Sequence, residues 1–325
     1  MPSSRVSMLR WWCLGLLLAA AVGHAQPLKV AVSRGPVSLP LYVAESNQYF
    51  KATGVDVVFV PCKSGLECFE LMSSGAADVA TAAELVLSLR AGSHPESVLL
   101  GTLSSSAHQI KLVARRDAGI ARPQDVQGKT VATVMGTSAQ YFMSSWLTFH
   151  GLGSSDVKLV ATTPSDVVQT LATRRADAVA IWEPLASTCV QELGGRAAII
   201  PSPRVYTQFF SLLSTRQAVT VKSQALTRFL QALIKAEHFI EIEPQRARDI
   251  LRTQLGGSTE LADRLMSEQD YHLRLDQAVV TTMRSQVRWA RKENLVSSSD
   301  TDPATLVDAK LLRALMPQAV TLVDR

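Results

Sequence analysis

The 325-residue sequence lacks the motifs that mark several common enzyme classes. It has no His-Glu-x-x-His pair, no Gly-x-Ser-x-Gly elbow and no complete phosphate-binding Gly-x-x-x-x-Gly-Lys-Ser/Thr loop. Zinc-protease, α/β-hydrolase and nucleotide-phosphate chemistry therefore have no sequence support. Gly128-Lys129-Thr130 imitates the end of the last motif, but Pro123 stands where its first glycine belongs. Cysteine is scarce, at four residues, and no histidine lies at metal-ligand spacing from the close pair Cys62/Cys68, which argues against a zinc site. No basic block is interleaved with aromatics, so nucleic acid is a poor partner. The formal net charge of +5 speaks for solubility rather than for a particular partner. Nothing in the sequence implies a cofactor.

A short apolar run, residues 11–22, follows Arg5 and Arg10 and precedes Gly23-His24-Ala25. This is the charged region, apolar region and small-residue cleavage site of a secretory leader. Its twelve residues fall well short of the roughly 20 that span a bilayer. Cys13 lacks a preceding small-residue lipobox, which argues against a lipid anchor. Cleavage after Ala25 removes two positive charges and leaves 300 residues of net charge +3, enough for one large domain or two ordinary ones. Three cysteines survive. In an oxidising compartment Cys62 and Cys68 either pair, leaving Cys189 alone, or all three are small buried thiols.

The chain also repeats itself once. Residues 58–60, 61–74 and 77–80 read as strand, helix and strand, with Glu84 six positions after Asp78. Residues 158–160, 161–174 and 176–180 read the same way, with Glu183 six positions after Asp177. The strands are apolar runs suited to a sheet covered on both faces. The helices carry Leu66, Phe69, Met72 and Val167, Val168, Leu171 at helical spacing, with Ser64 and Ser165 at the expected N-caps. Each unit is preceded by a further strand, turn and helix, at 28–50 and 130–150. Two βαβαβ copies predict two α/β lobes with largely parallel sheets. The remainder is helical, with segments expected at 223–242, 244–255, 259–271, 276–294 and 303–315. Extended pieces at 109–114 and 206–214 provide two crossings, so the lobes are expected at 27–114 with 208–325, and at 115–207.

Ligands of open α/β sheets sit beyond the carboxyl ends of the strands. This places Ser33, Pro36 and Leu39, then Ser64, Gly65 and Leu66, then Ala83 and Glu84, at the cleft. The second lobe offers Gly136, Thr137 and Ser138, then Trp182 and Glu183, and the crossings add His108 and Tyr206. A glycine turn followed by hydroxyls at a helix start suits an oxyanion. Trp182 is placed to stack on a ligand, or serves as a core or lobe-interface residue. Glu84 and Glu183 either receive an ammonium or amidine group or are structural.

Four stretches carry a family resemblance: Ser38-Leu39-Pro40-Leu41-Tyr42-Val43-Ala44, Ser74-Gly75-Ala76-Ala77-Asp78-Val79-Ala80, Gly128-Lys129-Thr130-Val131-Ala132, and Ala176-Asp177-Ala178-Val179-Ala180-Ile181-Trp182-Glu183-Pro184. In these the chain resembles periplasmic binding proteins of the nitrate/sulfonate/taurine class, similar in fold to the pyrimidine-binding proteins of thiamine supply. The resemblance implies a type II periplasmic-binding-protein fold and a monomer held in the periplasm. It also implies a small-molecule ligand, a sulfonate, nitrate or related anion, and a membrane permease as partner. A membrane receptor is the alternative partner, and a pyrimidine or amine the alternative ligand. A fungal pyrimidine synthase shares the scaffold, but its cysteine-rich motif is missing here, so no enzyme is implied. N-terminal sequencing of the exported protein should begin at Gln26; an intact Met1 on a membrane-bound species would overturn the leader assignment.

Overall fold

The computed structural model describes residues 26–296 and 302–323; the expected leader at 1–25 lies outside the described residues. The apolar runs become ten main strands. In chain order they are β1 (Leu28–Ser33), β2 (Val57–Cys62), β3 (Val79–Ala83), β4 (Ser97–Ser106), β5 (Ile110–Arg115), β6 (Thr130–Thr133), β7 (Lys158–Ala161), β8 (Ala178–Trp182), β9 (Ala197–Ile200) and β10 (Gln208–Thr215). One sheet has the order β2-β1-β3-β10-β4 and the other β7-β6-β8-β5-β9. In each, three parallel strands are followed by one antiparallel strand and an outer strand. The antiparallel strand is the one that has just crossed from the other lobe. The two-lobed α/β architecture expected from the repeat is the one observed.

Residues 110–114 belong elsewhere than expected. They were assigned to the first lobe, but they form β5, which pairs with β8 on one edge and β9 on the other. A strand bonded on both edges satisfies its backbone groups fully, so the outward crossing moves to residues 107–109. The helix expected over 303–315 is also broken. Val307 bridges Leu99, and the Asp308 N–H donates to the Leu99 carbonyl at 3.0 Å. Only a short 3₁₀ turn, Pro303–Leu306, and the helix Lys310–Leu315 remain. Ser165 does not cap its helix; Asp166 holds the N-cap position of Val167–Ala172.

The repeated aspartate has a physical reason. Asp78 Oδ2 accepts the Lys29 N–H at 2.9 Å, and Asp177 Oδ2 accepts the Thr130 N–H at 2.9 Å. The carboxylates thus close the starts of β1 and β6, and each carries a cation, Lys222 at 2.7 Å or Arg115 at 3.2 Å. Alternation then fills both sheet faces. In β5, Leu112 and Ala114 enter one apolar cluster of the second lobe and Val113 the other. In β8, Ala178 and Ala180 face opposite to Val179 and Ile181, the two-residue period of a strand. Cys62 and Cys68 are disulfide-bonded, with Cα atoms 5.4 Å apart. Cys189 is a buried free thiol whose pKa burial pushes up to about 12. No helix of the described residues is long and apolar enough to cross a membrane.

Gly65 opens the helix Gly65–Ser73 directly against β3. A Cβ there would lie 2.9 Å from Ala82 Cα and 3.0 Å from its Cβ. Gly65→Val should therefore cost about 1–3 kcal/mol by overpacking, read as a lower denaturant midpoint; an unchanged midpoint would show that the helix start can shift.

Candidate functional site

The carboxyl ends of β1, β2 and β3 meet those of β6 and β8 across a cleft between the lobes. The cavity it encloses is about 50 Å³, room for a few waters. Ser33, Ser64, Gly65, Ala83, Thr137, Ser138, Trp182 and Glu183 line it, as does a set the sequence reading did not single out: Arg34, Lys63, Gln109, Gln208 and Phe210. Two helices start here from opposite walls, Gly65–Ser73 and Ser138–Phe149. Helix starts present free N–H groups and a partial positive charge. Ser64 caps the first, accepting the Glu67 N–H at 3.2 Å, and Glu67 returns the favour to the Lys63 N–H at 2.8 Å. Because Ser64 Oγ accepts there, its own proton remains to be donated. Thr137 caps the second helix and donates to the Val134 carbonyl at 2.7 Å.

Gly136 does not line the cleft. It has the positive φ of 71° expected of a tight turn, but its N–H is given to Gln140 Oε1 at 2.7 Å. The helix consumes its own entry donor, which removes Gly136 from the oxyanion role expected for it. Leu39 is fully buried in the first lobe's core and Leu66 packs against that core. Pro36 is buried, and its carbonyl accepts the Tyr271 hydroxyl at 3.0 Å. His108 sits half-buried at the outward crossing, its N–H on Ser106 Oγ at 2.9 Å. Burial and the Lys111 ammonium hold its imidazole below the usual range.

Glu84 and Tyr206 also lie off the cleft, and they meet each other. The Tyr206 hydroxyl donates to Glu84 Oε1 at 2.7 Å, the Phe209 N–H to Oε2 at 2.9 Å, and Gln286 Nε2 to Oε1 at 2.6 Å. This fully buried carboxyl thus anchors the return crossing to the first lobe. Burial raises its pKa to about 7 against the pull of these donors. Glu183 occupies the repeat-equivalent position but is held differently. It takes the Ser187 N–H at 3.1 Å and the Ser187 hydroxyl at 2.7 Å, and pairs with Arg264 at 3.1 Å.

The lobes touch through named bonds. Ser138 Oγ donates to Gln208 Oε1 at 2.9 Å, and Gln269 Nε2 to Gln109 Oε1 at 2.8 Å. Lys111 pairs with Glu268 at 2.9 Å, and Tyr141 meets both Tyr206 and Trp289 edge-on. Arg34 lies within the stretch 33–39 expected at the cleft, whereas Lys63 was missed although it directly follows the last residue of β2, the position that strand polarity marks as cleft-facing. Gln109 and Gln208 fall inside the extended pieces expected at 109–114 and 206–214, but nothing in the sequence turns their side chains toward the cleft.

The family profile described as "NMT1/THI5 like" matches residues 35–247. A protein of Brucella abortus strain 2308, named only as a candidate binding protein, is 26% identical over 129 residues. That alignment covers 39% of this chain and 40% of the relative, so the match spans well under half of the relative's length. Among solved structures, the alkanesulfonate-binding protein SsuA from Xanthomonas axonopodis pv. citri bound to MOPS superposes with a TM-score of 0.77 at 16% identity. It covers 88% of this chain and 99% of its own. The periplasmic nitrate-binding protein NrtA from Synechocystis PCC 6803 gives 0.75 at 12% identity, covering 90% and 88%. These likenesses establish the periplasmic-binding-protein fold.

Glu84 also sets a pH dependence. Its folded pKa lies above its ordinary value, so between the two the folded state binds more protons, and stability falls as pH rises through that window. Thermal melts should show wild type losing stability from about pH 4.5 to about pH 7 relative to Glu84→Gln. Parallel profiles for the two proteins would rule out an elevated pKa.

Proposed function

The chain belongs to the NMT1/THI5-like family, and from that premise we propose that it is the exported solute-binding component of an ABC importer, taking a small anion into the interlobe cleft. The observation that carries the anion is the charge of the lining. Arg34 and Lys63 stand on one wall, hydroxyls and two helix starts surround them, and the lining's single acid, Glu183, is already paired with Arg264. An ammonium ligand would have to displace that arginine. The lining contains neither histidine nor thiol, which favours capture over catalysis. The sulfonate and nitrate named for the similar structures fit the same chemistry.

In this reading residues 27–106 with 208–325, and 110–200, are the closing lobes, and Trp182 packs on whatever organic part the anion carries. A membrane permease receives the solute from the monomeric, periplasmic protein. Closure favours the bound state because neither wall encloses a small anion alone.

Calorimetry with methanesulfonate and nitrate, set against neutral dimethyl sulfone, tests the charge preference, and native mass spectrometry of unrefolded protein identifies any co-purified anion. A hydrogen bond to a charged group contributes about 1.5–3 kcal/mol, so Lys63→Gln should weaken anion binding by about tenfold or more with little change in melting temperature. Binding of the sulfone as tightly as the anions would sink the reading.

A further inference from the structure

We propose that Arg264 is a positioning residue for the cleft: from the opposite lobe it neutralises the buried carboxylate of Glu183, and only the closed cleft provides that neutralisation. The inference rests on the anion reading of the cleft and adds the residue that makes a glutamate tolerable beside an anion.

Glu183 directly follows β8 of the second lobe, and its side chain has no exposure. Within its own lobe it is bonded by neutral donors, the N–H and hydroxyl of Ser187. Its cation comes from the helix Thr259–Ser267, in the first lobe's tail. The Arg264 guanidinium spans the gap, one nitrogen on Glu183 Oε1 at 3.1 Å and another on Ser187 Oγ at 2.5 Å. From there the charges alternate across the lobes: Arg264 reaches Glu268 at 3.4 Å, and Glu268 reaches Lys111 of β5 at 2.9 Å. Arg264 remains 39% exposed, so water can solvate it when the lobes separate.

The consequence follows from electrostatics. With the lobes apart, the Glu183 carboxylate loses its cation and opposes an anion arriving at Arg34 and Lys63. With the lobes together, the pair forms and the field at the site turns positive as the ligand is enclosed. Arg264 and the anion therefore favour the same closed state, and each strengthens the other's contribution.

The test is a double-variant cycle read by methanesulfonate calorimetry and by small-angle scattering. Arg264→Gln should lose about tenfold or more in affinity and show a larger radius of gyration at saturating methanesulfonate. Arg264→Lys should fall between the two. Adding Glu183→Gln to Arg264→Gln should restore affinity to within about threefold of wild type. Wild-type affinity in Arg264→Gln would overturn the inference. A double variant as weak as the single one would overturn it too, because Arg264 would then be acting on the anion itself. A wild-type protein that binds no anion fails the preceding proposal instead. The ligand-free radii then decide this one: Arg264→Gln must be more expanded than wild type and the double variant must return toward it, and equal radii refute it.

Discussion

Each lobe completes its sheet with a strand that has just arrived from the other lobe, and this constraint orders the rest of the molecule. β5 and β10 are the antiparallel members of their sheets, so neither sheet closes until the chain has crossed. The crossings are consequently short and lie beside one another at the base of the cleft, at 107–109 and 201–207. They are also pinned. The Glu183 N–H donates to the Gln109 carbonyl at 2.9 Å, and Gln109 Nε2 to the Glu183 carbonyl at 2.9 Å. Glu84 holds the other crossing through Tyr206 and Phe209. Each crossing is anchored at the ends of strands already fixed in a core.

The repeated glutamates show one sequence position solving the same burial problem in two ways. Glu84 follows β3 and Glu183 follows β8; both are fully buried and both touch a crossing. Glu84 has three neutral donors and no cation. It keeps its place because its pKa rises to about 7, which lowers the cost of burying it near neutral pH. Glu183 has two neutral donors and an arginine. The difference follows from where each faces: Glu84 turns into the first lobe's own helices, through Gln286, whereas Glu183 turns across the interface. A pair spanning an interface depends on that interface being closed, and a hydrogen-bonded carboxyl inside one lobe does not.

The fold was legible because its determinants are local and periodic. The strand runs, the repeated aspartates Asp78 and Asp177 that mark the two units, and the Ser64 cap are all readable within a few residues. Most of the cleft-facing polar groups were legible for the same reason, since strand polarity alone places Ser33, Ser64, Thr137, Ser138, Trp182 and Glu183. What sequence reasoning could not supply was competition. Gly136 has the turn expected of it, but Gln140, four residues on, takes its N–H. Glu84 lies at a strand's carboxyl end and still turns inward, because Gln286, 202 residues away in sequence, offers a donor. The boundary at 110–114 failed for a related reason. An apolar segment between two lobes pairs with whichever sheet offers both edges, and that is decided in three dimensions.

The disulfide bears on how strongly the first wall can discriminate. Cys62 ends β2 and Cys68 lies inside the next helix, so the bridge encloses Lys63, Ser64 and Gly65, three residues that line the cleft. The reciprocal bonds of Ser64 and Glu67 hold the same loop from within, and Gly65 seats it against Ala82 with no space for a side chain. A loop constrained three ways has little backbone freedom left to lose on binding. Ordering costs subtract directly from affinity, so this wall meets its ligand at low entropic cost, with the Lys63 side chain as its main moving part. The second wall carries no such bridge. Its free cysteine, Cys189, lies on the buried face of the helix Leu185–Leu193. The first wall is therefore the more constrained half of the cleft.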